Sequence, residues 1–282
     1  MKMAGPVWCS AAFAAAILGG AVPFARAAPP PPAPAPHAYA DIVDLADSAR
    51  LVMQAEVRGQ ATVEPARAPG VKPGWARIYV EARPAVILRG DVPLAESVHY
   101  LADVPLDAKG KVPSLKKQQV LLFAHTLARG AEDLQLVAAD AQWLADPALV
   151  DRVHKAIGDL FAPDAAPPVT AITQALYEPG TLAGEGETQL FLATAKGEPA
   201  SISVLHQPDQ PVHWSVSFSE VVNPDAPPPA HDTLAWYRLA CFLPARLPDG
   251  INISATPDAR LQAERDYRLV LAELGPCGRL RD

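Results

Sequence analysis

Two cysteines are the residues of this sequence whose type and position point most directly to chemistry. Cys241 lies in the apolar run HDTLAWYRLACFLPARLPDG, and Cys277 follows a second helical pattern. The sequence has three cysteines, but the signal-peptide cleavage predicted below removes Cys9 and leaves two, the number that one disulfide needs. This bridge would contribute about 4 kcal/mol by restricting the unfolded chain. We therefore predict a Cys241–Cys277 disulfide. The alternative is a nucleophilic Cys241 with His231 as its base, but a thiolate needs a polar setting that this run does not offer.

Two histidines flank a turn in the second half of the chain. His206 and His213 lie on either side of QPDQPV, so a hairpin can bring them together, with Glu220 further along the second strand. A zinc or copper site requires such a convergence of ligands. Because two histidines without a clear third ligand are insufficient, we predict no metal site and no cofactor, and keep His206 and His213 as the only candidate ligands.

A polar turn holds four of the chain's eight lysines. Lys109, Lys111, Lys116 and Lys117 lie within DAKGKVPSLKKQQ. They form a candidate binding patch for an acidic partner or a lipid head group; the alternative is a solvated loop whose charges protect a strand edge from pairing. The same turn contains an S-x-x-K pattern beginning at Ser114, but the S-D-N and K-T-G partners of that catalytic motif are absent.

Several function classes are excluded by the absence of their sequence motifs and by the charge balance. The sequence has no nucleotide-binding glycine loop, G-x-S-x-G, H-E-x-x-H or C-x-x-C pattern. We therefore predict no catalytic residue and favour a protein that is not an enzyme, while its enzymatic status stays open. With 24 basic and 31 acidic residues, the net charge of -7 also argues against a nucleic-acid partner, because binding to phosphates depends on lysine and arginine.

The first residues predict export. Lys2 precedes a small-apolar run over 7–22, and Ala25-Arg26-Ala27 supplies an A-x-A cleavage pattern, so we predict a signal peptide over 1–27. The run is shorter than a membrane-spanning helix requires, and no later run is longer, so no transmembrane segment is expected. The proline-rich residues 28–38 predict an extended tether. We expect a soluble protein that is periplasmic or secreted.

Residues 39–146 predict a small β-domain that begins with a helix. The helix is YADIVDLADSAR, in which Asp41, Asp44 and Asp47 recur at a spacing of three and are expected to form a solvated face. After it the hydrophobic period changes to two, and turns containing glycine, proline and aspartate separate five candidate strands. This pattern predicts a small barrel or sandwich. The five candidate strands are RLVMQAEVRG, ARIYVEARPAVILRG, ESVHYLADVP, KQQVLLFAHTL and DLQLVAA.

The order of these elements resembles that of netrin-like and tissue-inhibitor-like barrels. A helix is followed by LADSARLVMQAEV, by a long strand ending in AVILRG, and then by QQVLLFAHTLA and LQLVA. These barrels have an OB-type fold and occur in exported bacterial proteins. The resemblance implies a five-stranded OB-like barrel over roughly 41–143. The inhibitory members act through a cysteine at the mature amino terminus. The predicted mature chain has no cysteine before Cys241, so protease inhibition is not implied. The whole mature chain also resembles exported bacterial proteins without assigned activity.

The second half predicts a different module. Residues 147–167 are expected to form a helix and a linker, and 168–282 an antiparallel meander of four strands followed by two helices. The first of these helices is apolar on nearly all sides and is therefore expected to be buried. Trp236, Tyr237 and Phe242 are expected in the core between the helices and the meander. The predicted fold class is α+β, predominantly β, with an OB-like barrel followed by a meander packed with two C-terminal helices.

The function predicted from the sequence is therefore a general one. We expect an exported envelope protein that binds or scaffolds an unknown envelope protein or small ligand without catalysis. The alternative is a periplasmic hydrolase with an unrecognised site at the junction of the two modules, since pockets favour such junctions. The ligand, pathway and oligomeric state are not specified by these residues.

Overall fold

A computed structural model describes residues 37–90, 93–127, 131–219 and 223–281, together with Met1. The predicted signal peptide and most of the predicted tether lie outside the described residues. The helices are α1 (Tyr39–Ser48), α2 (Pro147–Leu160), α3 (Leu234–Ala240) and α4 (Pro257–Leu274). A first group of strands comprises β1 (Leu51–Thr62), β2 (Trp75–Arg89), β3 (Leu94–Pro105), β4 (Gln119–Thr126), β5 (Ala131–Leu136) and β6 (Gln142–Leu144). A second comprises β7 (Val169–Pro179), β8 (Gly186–Thr194), β9 (Ala200–His206) and β10 (His213–Ser217).

The first six strands form one sheet in the order β1-β2-β3-β5-β4-β6, and β1 pairs in addition with β4. All of these pairings are antiparallel except that of β3 with β5. Strand β1 therefore has β2 on one edge and β4 on the other, and its register against β2 contains irregularities. Pro84 lies opposite Ala55 at one such irregularity, where its missing N–H does not interrupt a regular ladder. The short strand β6 is an addition to the five strands predicted from the sequence.

The last four strands form a separate antiparallel sheet in the order β10-β9-β8-β7. Each strand pairs with its neighbour in sequence, which confirms the predicted meander. Alternation explains the arrangement, because every second residue of β8 is buried from Gly186 to Thr194. Helix α4 packs on β7 and β8 and covers this buried face. The fold class is therefore α+β and mostly β, as predicted.

The helices begin and end at residues that the sequence marks clearly. Asp146 accepts a hydrogen bond from the backbone N–H of Leu149 and caps α2, while Thr256 caps α4 through the N–H of Ala259. Gly275 ends α4 with a φ of 68°, a conformation that favours glycine. Helix α3 ends at Ala240. Trp236 and Tyr237 are buried, but Phe242 follows the helix and is 40% exposed, so its predicted place in the core is wrong.

From Pro36 onward the chain forms one compact unit, and one cluster of buried side chains includes residues of both sheets. The predicted boundary over 147–167 coincides with α2 and the turn after it, and the division into two domains stays a prediction. Cys241 and Cys277 form a disulfide with an S–S distance of 2.09 Å, which confirms the predicted pair. Within the described ranges, no helix is both long enough and apolar enough to cross a membrane.

Candidate ligand-binding groove

One candidate site is a groove of about 940 Å³ beside the first sheet. Its walls come from the start of α1, the β1–β2 and β3–β4 connections, the first residues of β2, the end of β3, the segment around β6 and residues 280–281. Three carboxylates and three basic side chains line it, so their formal charges balance. These residues are Asp41, Asp103, Asp140, Lys72, Arg77 and Arg281.

One wall of the groove is aromatic. The His37 ring stacks on Trp143 with a centroid distance of 4.0 Å and an interplanar angle of 18°. Trp143 is held from behind by an edge contact with Phe123, and the Arg281 guanidinium lies 5.9 Å from its ring. Burial lowers the pKa of His37, and the nearby Arg152 lowers it further. His37 is therefore neutral near pH 7, and the aromatic wall adds no charge to the groove.

Four of the six charged side chains of the groove form two ion pairs. Arg77 and Asp103 face each other across β2 and β3 and form two hydrogen bonds of 2.7 and 2.9 Å. The bond to Asp103 raises the pKa of Arg77, which keeps the guanidinium charged. Arg281 donates to Asp140 over 2.6 Å. These pairs leave the groove with fixed, mutually compensated charges.

Residues 278–281, here called the strap, form a second wall and are held by α1. Arg279 donates two hydrogen bonds of 2.6 and 3.1 Å to Asp44. The backbone N–H groups of Leu280 and Arg281 donate to the carboxylate of Asp41 over 3.1 to 3.3 Å. Asp41 is 2% exposed, so the prediction that it belongs to a solvated face is wrong. Asp41 and Asp44 face the strap, whereas Asp47 is exposed as predicted.

Four side chains around the groove have polar groups without a hydrogen-bond partner among the described residues. They are the Trp75 indole N–H, the Ser114 hydroxyl, the Gln118 amide and the amide nitrogen of Gln142, whose oxygen accepts a 2.7 Å bond from Tyr100. All four are neutral, and Trp75 is only half-buried at the start of β2. Polar groups that converge without internal partners are available to a ligand.

A second cavity of about 470 Å³ adjoins the groove along the outer face of β2 and β3. Arg77 and Ala139 line both cavities. Tyr79 stacks on His99 with a centroid distance of 5.7 Å and an interplanar angle of 7°. Tyr79 is 45% exposed and Leu101, its partner on β3, is 49% exposed. The two cavities are therefore the two ends of one surface, with the Arg77–Asp103 pair between them.

The predicted lysine patch lies next to this groove. All four lysines are exposed, and the backbone N–H groups of Lys109 and Lys111 donate to Asp107, which orders the turn. Lys116 and Lys117 fall between Ser114 and Gln118, so the residues of the S-x-x-K pattern lie in the β3–β4 connection rather than at a buried helix. The function of the patch stays a prediction.

The two candidate metal ligands do not converge. His213 pairs with Leu205 across the hairpin, which places His206 on the other face, and His213 donates to the carbonyl of Ala226 over 3.0 Å. Glu220 lies outside the described residues. Among the residues that the structure describes, no group of three histidine, cysteine, aspartate or glutamate side chains is arranged to hold a metal ion.

His206 instead belongs to a buried polar cluster, here called the Asp266 cluster. Its Nε2 lies 2.9 Å from the carboxylate of Asp266, which also accepts from the Gln262 amide over 2.9 Å and from the Thr188 hydroxyl. Asp266 is 2% exposed and Thr188 is fully buried. The cluster ties β8, β9 and α4 together, and its carboxylate is saturated with donors.

Sequence reasoning missed the principal groove residues. Trp75, Arg77 and Tyr79 alternate with apolar residues in WARIY, a period of two that places all three on one face of a strand. That signal was available in the sequence, but it does not show what lies opposite. No protein-family model matches the chain, and comparison with curated proteins finds no match to its sequence.

Proposed function

We propose that this protein is an exported envelope protein, periplasmic or secreted, that binds a ligand or partner through the groove without catalysing a reaction. The observation that carries the proposal is the set of four unpaired neutral polar groups around a cavity of about 940 Å³. A cavity of this size falls within the range of ligand sites. The disulfide is compatible with an oxidising compartment outside the cytoplasm.

We further propose that the first five strands form an OB-like barrel of the netrin-like type. The proposal is supported by the pairing of β1 with β2, β2 with β3, β3 with β5, β5 with β4 and β4 with β1, a sequence of neighbours that returns to its start. The parallel pairing of β3 with β5 in an otherwise antiparallel set also supports it. In such a barrel the groove would lie on the outside.

Binding is favoured over the alternative of hydrolysis by the state of the carboxylates. General acid–base catalysis requires a carboxylate or histidine that can reach the substrate and exchange a proton. Asp41 accepts from two backbone N–H groups, Asp103 is held by Arg77, and Asp140 is held by Arg281. A hydrolase that used one of these groove carboxylates would have to break one of these interactions.

The groove proposal is tested by oxidative footprinting of the full chain with and without an extract of the envelope of the producing cells. We expect the extract to protect the Trp75 indole from oxidation. Phe191, which is exposed on β8 of the other sheet, should be oxidised equally in both samples. Equal oxidation of Trp75 in both samples would refute ligand binding in the groove.

The export proposal has a separate test in the intact mass of the protein recovered from its cells. We expect a mature chain that begins at Ala28, and a mass that increases on reduction by the hydrogens that one disulfide takes up. A mass that includes residues 1–27 would contradict signal-peptide cleavage.

A further inference from the structure

Two aromatic side chains mark the ends of the surface formed by the two cavities. Trp75 lines the groove and Tyr79 lines the second cavity. They lie four residues apart on the same face of β2, a separation of about 13 Å along an extended strand. Among the described residues Trp75 has no ring contact, while Tyr79 is covered on one side by His99 and is 45% exposed. An occupant that touches both rings must be extended.

Arg77 and Asp103 lie between the two rings and compensate each other in charge, while the second cavity adds the carboxylate of Asp133. Arg77 is the midpoint of the segment, and its two hydrogen bonds to Asp103 occupy both carboxylate oxygens. The groove as a whole balances three basic side chains against three acidic ones, and His37 is neutral near pH 7. A strongly anionic or cationic ligand would gain little here and would disturb these pairs.

The unpaired groups have the chemistry of hydroxyl recognition. The Gln118 amide can both donate and accept, the Ser114 hydroxyl can do the same, and the Trp75 indole donates. Ser114 and Gln118 are exposed at the rim, so a ligand reaches them without displacing protein contacts. Their arrangement beside a half-buried indole combines a flat apolar face with neutral polar groups.

We propose that the groove and the second cavity together bind a neutral oligosaccharide. This inference rests on the proposed function of the groove. Sugar rings have apolar C–H faces that pack on indole and phenol rings, and their hydroxyl groups bond to amides and hydroxyls. Trp75 and Tyr79 stack on separate rings of the chain, and Gln118, Ser114 and Gln142 bind the hydroxyls of the rings nearest to Trp75.

An extended peptide is less suited to the same surface. Peptides that bind to sheets commonly add a strand at an open edge. Here β2 is paired on both edges: Tyr79 lies between Ala61 of β1 and Leu101 of β3. The backbone N–H of Asp103 on β3 already donates to Ala139 over 2.7 Å. A peptide would therefore find side chains but no free backbone groups to pair with. A sugar chain can bind through side chains alone.

The test is calorimetric titration of the full mature chain with glucose and with hexamers of β-1,4-linked glucose, α-1,4-linked glucose and β-1,4-linked N-acetylglucosamine. We expect at least one hexamer to bind, and to bind about tenfold or more tightly than glucose because two rings of the protein are engaged at once. Trp75→Ala should weaken hexamer binding about tenfold or more, as expected for an aromatic anchor. Tyr79→Ala should reduce the advantage of the hexamer over shorter sugars.

Matched controls separate the outcomes. Phe191→Ala removes an exposed aromatic ring from β8 and should leave hexamer binding unchanged. Trp75→Phe keeps an aromatic platform and should retain most of the affinity, so a loss from misfolding is distinguished from a loss of stacking. Binding of no hexamer, or binding that is unchanged in Trp75→Ala and Tyr79→Ala, overturns the oligosaccharide proposal. If an envelope extract still protects Trp75 in that case, the groove proposal stands and only the ligand class is wrong.

Discussion

The groove and the Asp266 cluster are both polar regions, yet their hydrogen-bonding groups are used in opposite ways. In the cluster, three side chains converge on one buried carboxylate and satisfy it. In the groove, charged groups are paired, but the Trp75 indole and the Gln118 amide lack partners among the described residues. Internal saturation stabilises a fold, whereas unpaired neutral groups at a cavity are available to a ligand. Substitutions should therefore affect stability in one region and binding in the other.

The largest effect is expected from the disulfide, which joins the end of α3 to the residue before the strap. Cys277 immediately precedes the strap, and its bridge to Cys241 closes a loop of 36 residues. Replacing both cysteines with serine should lower the free energy of unfolding by about 4 kcal/mol because the unfolded chain gains freedom. Urea denaturation measures this loss.

The double serine variant also tests whether the disulfide supports the groove, because Leu280 and Arg281 line it. Hexamer binding should weaken together with stability. Mild reduction of the unmodified protein should reproduce both effects without any substitution. Unchanged binding after reduction would show that the strap is held by Asp41 and Asp44 alone.

The second largest effect is expected at the Asp266 cluster. Asp266→Ala leaves Thr188, His206 and Gln262 without their shared acceptor in a buried site, so the free energy of unfolding should fall by about 3 kcal/mol. Glu264→Ala is the matched control, since Glu264 is exposed on the same helix. Thermal and urea unfolding should separate the two variants clearly. A loss of hexamer binding in Asp266→Ala that is still folded would contradict the expectation that this cluster affects stability and not binding.

A smaller effect is expected from pH at the aromatic wall. Burial holds the pKa of His37 below its ordinary value of about 6.5, so the unfolded chain binds a proton more readily than the folded one. His37 therefore contributes stability above that pH, and the contribution is lost as the pH falls from about 6.5 towards the lowered pKa. Urea midpoints from pH 8 to pH 5 should fall less steeply in His37→Gln than in the unmodified protein. An identical dependence of the urea midpoint on pH in both proteins would refute the contribution of His37 to stability.

The smallest effect on stability is expected at Gln118. Its side chain is exposed and has no partner among the described residues, so Gln118→Ala should change the free energy of unfolding by less than about 0.5 kcal/mol. Hexamer affinity should nevertheless fall, because the proposed ligand would lose its hydrogen bonds to the amide. Urea denaturation and calorimetric titration of the same preparation test both halves of this expectation. A clear loss of stability would show that Gln118 has a structural function.

Local signals accounted for much of the second half of the fold. Asp146 followed by Pro147 predicts the start of α2, Thr256 followed by Pro257 that of α4, and turns between alternating segments predict the meander. The disulfide followed from counting the cysteines that remain after the predicted cleavage. Each of these conclusions depends on residues close together in sequence or on the number of possible partners.

The groove could not be predicted in the same way because its contacts are distant in sequence. The alternation in WARIY places Trp75 and Tyr79 on one face, but only the register of β2 against β3 sets Asp103 opposite Arg77. The burial of Asp41 depends on the N–H groups of Leu280 and Arg281, and no local pattern around Asp41 reveals them. Phe242 was misplaced because α3 ends two residues before it.

The contact between α1 and the strap also determines when the groove is completed. Asp41 and Leu280 are separated by 239 residues. At synthesis rates of about 5–20 residues per second, α1 precedes the strap by on the order of ten seconds or more. During that interval the groove lacks one wall, so a nascent chain meets its surroundings before its binding surface exists. A ligand of the proposed kind would meet a complete groove only on chains that extend through Arg281.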